Sequence, residues 1–114
     1  MCIRDSIPFE ELPQTINPAK GHIATANNKI VADDYPHFIT DEWTSPYRIR
    51  RIEELLAATD KHTALSVQAM QADIVSVSAR DLKDVLTANA QPQTARERSI
   101  VEAMKSWNLS LIHI

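Results

Sequence analysis

Asn17-Pro18-Ala19-Lys20-Gly21-His22-Ile23-Ala24-Thr25-Ala26-Asn27-Asn28 is the stretch on which the reading of this chain turns. It opens with the turn signal Asn17-Pro18 and carries Gly21, the only glycine among 114 residues. His22 to Ala26 follows with no breaker inside it, and this run predicts a short strand. Asn27 and Asn28 close the run and present two side-chain amides at a strand end, a place from which a group can be aimed rigidly. Asparagine pairs are also ordinary turn residues, so the residues alone leave both roles open.

Upstream, Pro8, Pro13 and Pro18 exclude a long helix, because each removes a backbone donor and restricts the residue before it. Phe9 and Leu12 are placed to pin this irregular arm to a core. Downstream, Lys29 to Ser45 reads as a loop centred on Asp33-Asp34-Tyr35-Pro36; a loop of that length in a compact domain is often functional. A helix then starts, with Ser45 as N-cap and Pro46 as first helical residue. Ile49, Ile52, Leu55 and Leu56 share one face at helical spacing. Arg48, Arg50 and Arg51 crowd its opening turns, where the helix dipole disfavours cations. Glu53 and Glu54 offset part of that charge. Arg48 lies too early for them and requires another partner.

The rest of the chain reads as helical. Thr63 to Gln71 forms a short helix with Leu65, Val67 and Met70 as apolar contacts. Asp73 is placed to cap a longer helix bearing the stripe Ile74, Ser78, Leu82, Val85 and Leu86. The β-branched Ile74, Val75 and Val77 keep a strand open at its start. Pro92 separates a last helix, which carries a capping-box pair at Thr94 and Glu97 and apolar residues at Ile100, Val101, Met104 and Trp107.

The formal net charge is −3 with interspersed signs, which argues against a nucleic-acid surface or a polybasic membrane surface. No apolar run reaches the roughly 20 residues of a spanning helix. Internal repeats, glycine-rich phosphate loops and zinc-type ligand spacings are absent from the sequence.

The two ends read as foreign. Met1-Cys2-Ile3-Arg4-Asp5-Ser6 can be encoded by ATG TGT ATA AGA GAC AG plus one base. The reverse complement of that DNA gives Leu-Ser-Leu-Ile-His and the start of an isoleucine, which is Leu109-Ser110-Leu111-Ile112-His113-Ile114. Inverted copies at both ends look like the tag a transposase adds to a library fragment. Residues 1–6 and 109–114 are therefore read as non-native tags. Residues 7–108 are read as an internal piece of a longer protein, with 7–45 a strand and loops and 46–108 helical. Cys2 lies in the first tag, so cysteine usage says nothing about redox compartment.

Ile7-Pro8-Phe9-Glu10-Glu11-Leu12-Pro13, Asn17-Pro18, Gly21-His22-Ile23 and Thr25-Ala26-Asn27-Asn28 are followed by Asp33-Asp34-Tyr35-Pro36, Trp43, Tyr47-Arg48 and Arg51-Ile52-Glu53-Glu54-Leu55-Leu56. In this order and at these spacings the blocks resemble the penicillin acylase (penicillin amidase) family, clearly from Ile7 to about Leu56 and more loosely to Trp107. The resemblance implies an N-terminal-nucleophile hydrolase, of which this piece belongs to the catalytic β-chain. The implied fold class is α+β: part of an αββα sandwich, mostly helical, with a short strand and long loops.

The same resemblance implies hydrolysis of a linear amide bond in a small acyl-amide substrate, of the penicillin or N-acyl-homoserine lactone type. The nucleophile, usually a serine exposed by self-processing, would lie upstream of Ile7, so this piece alone is expected to be inactive. Asn27, the first asparagine of the family's pair, would donate its side-chain amide to the oxyanion hole. Arg48 would support the active site. The implied partners are the remainder of the β-chain and the α-chain. Some family members bind calcium, which stays open for the parent, but the family's calcium-binding aspartate falls near Ile39, so no cofactor is assigned to this piece. A periplasmic or secreted location is implied by the family alone. Without the resemblance, the residues describe a small helical binding or structural module. A third option is a non-catalytic relative that keeps the scaffold and lacks the nucleophile.

Overall fold

The computed structural model describes residues 6–111. Most of the two hexapeptides read as tags, residues 1–5 and 112–114, lies outside them. Two compact units divide the chain, Met1–Ile49 and Arg50–Ile114.

The first unit is almost entirely irregular. A single 3-10 turn covers Phe9–Glu11, and no strand forms among its described residues. The strand expected over His22–Ala26 is therefore corrected. This run is extended and alternates in exposure, with His22, Ala24 and Ala26 more covered than Ile23 and Thr25, yet no second strand pairs with it. Its final backbone groups turn to side chains instead: Ala26 N–H donates to Asn28 Oδ1 at 3.0 Å, and Ala26 O accepts from Thr44 Oγ1 at 3.0 Å. An extended segment whose polar groups are satisfied in this way needs no ladder. Phe9 and Leu12 do not pin the arm, since Phe9 is 72% exposed and Leu12 is exposed too. Polar contacts hold it: Tyr35 Oη donates to Glu11 O at 2.9 Å, and His37 Nε2 meets Glu11 Oε2 at 2.5 Å. Residues 29–45 form the expected loop.

Helix α1, Tyr47–Ala57, begins directly after Pro46. Its apolar positions Ile49, Ile52, Leu55 and Leu56 are half-buried. In the second unit, α2 covers Ala64–Gln71, α3 covers Val77–Asn89 and α4 covers Ala95–Ser106. Caps fix where these helices start. Thr63 accepts from Ser66 N–H and Thr94 from Glu97 N–H, each in a reciprocal capping box.

Asp73 is not the cap of α3. Ser76 takes that place by accepting from Ala79 N–H at 3.2 Å, and α3 starts correspondingly later. Asp73 is claimed by a stronger donor: Arg51 Nε reaches Asp73 Oδ2 at 2.9 Å and Arg51 Nη2 reaches Oδ1 at 2.6 Å. Between Asp73 and α3 the chain is extended. Val75 makes an isolated antiparallel bridge to Ser110, with Ser76 N–H donating to Leu109 O at 2.9 Å and Leu111 N–H to Ile74 O at 2.8 Å.

Helix α3 packs on α4. The buried residue of α3 is Val77, 2% exposed, rather than the expected stripe; Leu82, Val85 and Leu86 remain exposed. With so little apolar burial, ion pairs are prominent. Arg51 binds Asp73 and Glu54, Arg80 holds Glu54 from α3 at 2.5 Å, and Arg50 reaches Asp81 at 2.6 Å. Asp73 is held below the ordinary carboxylate range chiefly by the Arg51 hydrogen bonds, with burial opposing. Glu54 is lowered by Arg80 first and then by Arg51, again against burial, and Arg51 is raised by Asp73. One guanidinium fork on each carboxylate, Arg51 on Asp73 and Arg80 on Glu54, gives these contacts geometric definition as well as charge.

Candidate functional site

Two stretches distant in sequence, one at Asn27 and one at Arg48, meet in the first unit. Asn27 has φ 59°, in the left-handed region that asparagine tolerates better than most residues. The bend turns its side chain toward the start of α1. There Arg48 Nη2 donates to Asn27 Oδ1 at 2.8 Å and to Ala26 O at 2.9 Å. Arg48, which required a partner that Glu53 and Glu54 could not supply, finds it in the carbonyl groups of the turn.

The donor chemistry fixes the amide. A guanidinium only donates, so the group of Asn27 that meets it must be the oxygen. Nδ2 is then directed away from Arg48 with both of its protons, and among the described residues no hydrogen bond takes them up. The arrangement is an oriented, neutral, exposed N–H donor whose carbonyl side is anchored by a cation.

Thr44 completes the frame and was not singled out in the sequence. Its N–H donates to Asn27 O at 2.9 Å and its Oγ1 to Ala26 O at 3.0 Å. Arg48 Nη2 also lies 3.5 Å from Thr44 Oγ1. A hydroxyl residue just ahead of the helix start Ser45-Pro46 is the only sequence signal for it. Asn28 orders backbone: it accepts from Ala26 N–H and donates to Lys29 O at 3.0 Å.

The loop that follows bears an open depression of about 280 Å³, lined in part by Lys29, Tyr35, His37, Phe38 and Trp43. Trp43 is half-buried in its wall. Neither Asn27 nor Arg48 lines it. Asp33 is paired with Lys29, and among the described residues no three His, Cys, Asp or Glu side chains gather in a way that could hold a metal ion. No helix of the described residues is long and apolar enough to cross a membrane.

Comparison with known proteins finds bacterial acylases. Penicillin acylase 2 proenzyme of Pseudomonas sp. (strain SE83) is 41% identical over 73 residues, 64% of this chain and 9% of that protein. Acyl-homoserine lactone acylase QuiP of Pseudomonas fluorescens (strain Pf0-1) is 34% identical over 96 residues, 82% of this chain and 12% of that protein. The QuiP acylase of Pseudomonas aeruginosa PAO1 is 31% identical over 109 residues, 84% of this chain and 13% of that protein. The chain thus spans about a tenth of the length of the curated relatives it matches. No solved structure matches it. The penicillin amidase family profile matches residues 3–112, nearly the whole chain, and the chain belongs to that family.

Proposed function

We propose that this chain is part of the catalytic β-chain of an N-terminal-nucleophile amidohydrolase, in which Asn27 is an oxyanion donor and Arg48 orients it. The observation that carries the reading is the Arg48–Asn27 bond at 2.8 Å, which leaves Nδ2 facing away from Arg48 and without a hydrogen-bond partner among the described residues. In the reaction, a hydroxyl at the new chain start attacks the amide carbonyl carbon and passes its proton toward its own α-amine through water. Negative charge then develops on the carbonyl oxygen. A preorganised amide N–H meets that charge without having to reorient. Collapse of the tetrahedral intermediate releases the amine and leaves an acyl ester, which water cleaves.

The nucleophile is assigned upstream of Ile7, in keeping with the proenzyme naming of the Pseudomonas relative, so the isolated chain is inactive. The parent fold is the αββα sandwich, residues 7–108 are the native part, and the remainder of the β-chain and the α-chain complete the site. The substrate is a small acyl amide: a penicillin, or an N-acyl-homoserine lactone, on which the named relatives act. The location is periplasmic or secreted.

Kinetics of the intact acylase test this reading. Asn27→Ala is expected to lower kcat by about 10²–10³ with little change in melting temperature. Arg48→Met is expected to lower kcat less, because the amide stays present but loses its anchor. An Asn27→Ala enzyme with kcat within twofold of the parent would overturn the assignment.

A further inference from the structure

We propose that Thr44 is a positioning residue for the same reaction: it latches the turn on which Asn27 stands. The proposal rests on the oxyanion reading of Asn27. Two consecutive carbonyls, Ala26 O and Asn27 O, are both taken by this one residue, through its hydroxyl at 3.0 Å and its N–H at 2.9 Å. No ladder or helix holds that backbone otherwise, since Ala26 and Asn27 lie in an unpaired bend. Ala26 is buried, 8% exposed, so its carbonyl depends on protein donors rather than on water. The Thr44 hydroxyl carries one proton. Once that proton is given to Ala26 O, the lone pairs face Arg48 Nη2 at 3.5 Å, so the hydroxyl orders both the turn and the arginine that anchors the amide.

The consequence follows from geometry. An amide side chain in the left-handed region moves with its backbone, and a displacement near 1 Å at a reacting centre costs far more in rate than in stability. Thr44 also closes the neck of the loop running from Asn28 to Trp43. Loop and donor are therefore tied at a single residue, which touches neither substrate nor nucleophile in this scheme.

Thr44→Val keeps the shape and the backbone N–H but removes the hydroxyl; Thr44→Ser restores it. In the intact acylase carrying this chain, Thr44→Val should lower kcat about tenfold with KM within about twofold, and Thr44→Ser should recover most of the loss. In an Asn27→Ala background the same change should have no further effect on kcat. Thr44→Ala, read by the same split, serves if the valine variant does not fold. A kcat unchanged by Thr44→Val, or lowered equally with and without the Asn27 amide, would overturn the latch while leaving Asn27 as donor. An Asn27→Ala enzyme that retained full kcat would remove the donor assignment and the latch with it.

Discussion

The two units of this chain are stabilised in opposite ways. From Arg50 onward, helices α2 and α4 start at reciprocal threonine caps, and arginine–carboxylate pairs match charge between segments 22 and 26 residues apart. Up to Ile49, regular structure is nearly absent, and the chain is tied by single bonds from side chains to backbone, concentrated on Ala26, Asn27 and Asn28. The helical unit shares its stability among many repeated contacts. The loop unit gathers its few bonds around one amide, the arrangement that the proposed donor role of Asn27 calls for.

The largest expected effect separates these two kinds of stabilisation. Asn27→Gly suits φ 59° at least as well as asparagine and removes the amide. It should lower kcat of the intact acylase by about 10²–10³ while unfolding stability stays within about 0.5 kcal/mol. A parallel loss of stability would show that the bend is held by the side chain rather than by its backbone bonds.

The next effect falls in the helical unit. Asp73→Ala leaves Arg51, 25% exposed, without its bidentate partner. Urea unfolding of the chain should show a loss of about 1–2 kcal/mol, reduced from the buried-pair range because water reaches both groups. The same pair sets a pH dependence. Asp73 is lowered in the folded state, so its contribution is complete above the unfolded value of about 3.9 and is lost as pH falls through the depressed folded value. Stability measured from pH 6 down to pH 2 should therefore fall below about pH 4, and less steeply in Asp73→Ala.

Smaller effects follow at a cap and at a turn. Thr94→Ala removes the α4 cap and should cost about 1 kcal/mol. Gly21→Ala meets no neighbouring atom, so its cost is only the strain of an L-residue at φ 75°, about 1 kcal/mol by urea unfolding. A much larger loss at Gly21 would mean that the first unit is more tightly packed than its exposure indicates.

What the sequence made legible follows the same division. The start of α4 could be read from Thr94 and Glu97, because a cap is a contact over three residues, and α2 begins one residue after Thr63, which caps the helix it was expected to open. The start of α3 was misplaced because Asp73 is captured by Arg51, 22 residues away, and Ser76 caps in its stead. The strand at His22–Ala26 was misread because a strand-compatible run without a breaker indicates only an extended backbone, while a strand also needs a partner, which such a run cannot supply. At the candidate site, the need of Arg48 for a partner followed from its place at the dipole-disfavoured end of α1. The partner itself is Asn27, 21 residues upstream, and local spacing does not find it. Thr44 was invisible for the same reason, since its bonds reach back to Ala26 and Asn27 and leave no periodic trace.

The central claim is that the Asn27 amide meets charge that exists only in the transition state. The most direct measurement compares the affinity of parent and Asn27→Ala acylase for a phosphonate mimic of the tetrahedral intermediate and for the product carboxylic acid. The mimic should bind about 10²-fold more weakly to the variant, with the product acid within about twofold. Equal weakening of both ligands, or of neither, would contradict the assignment.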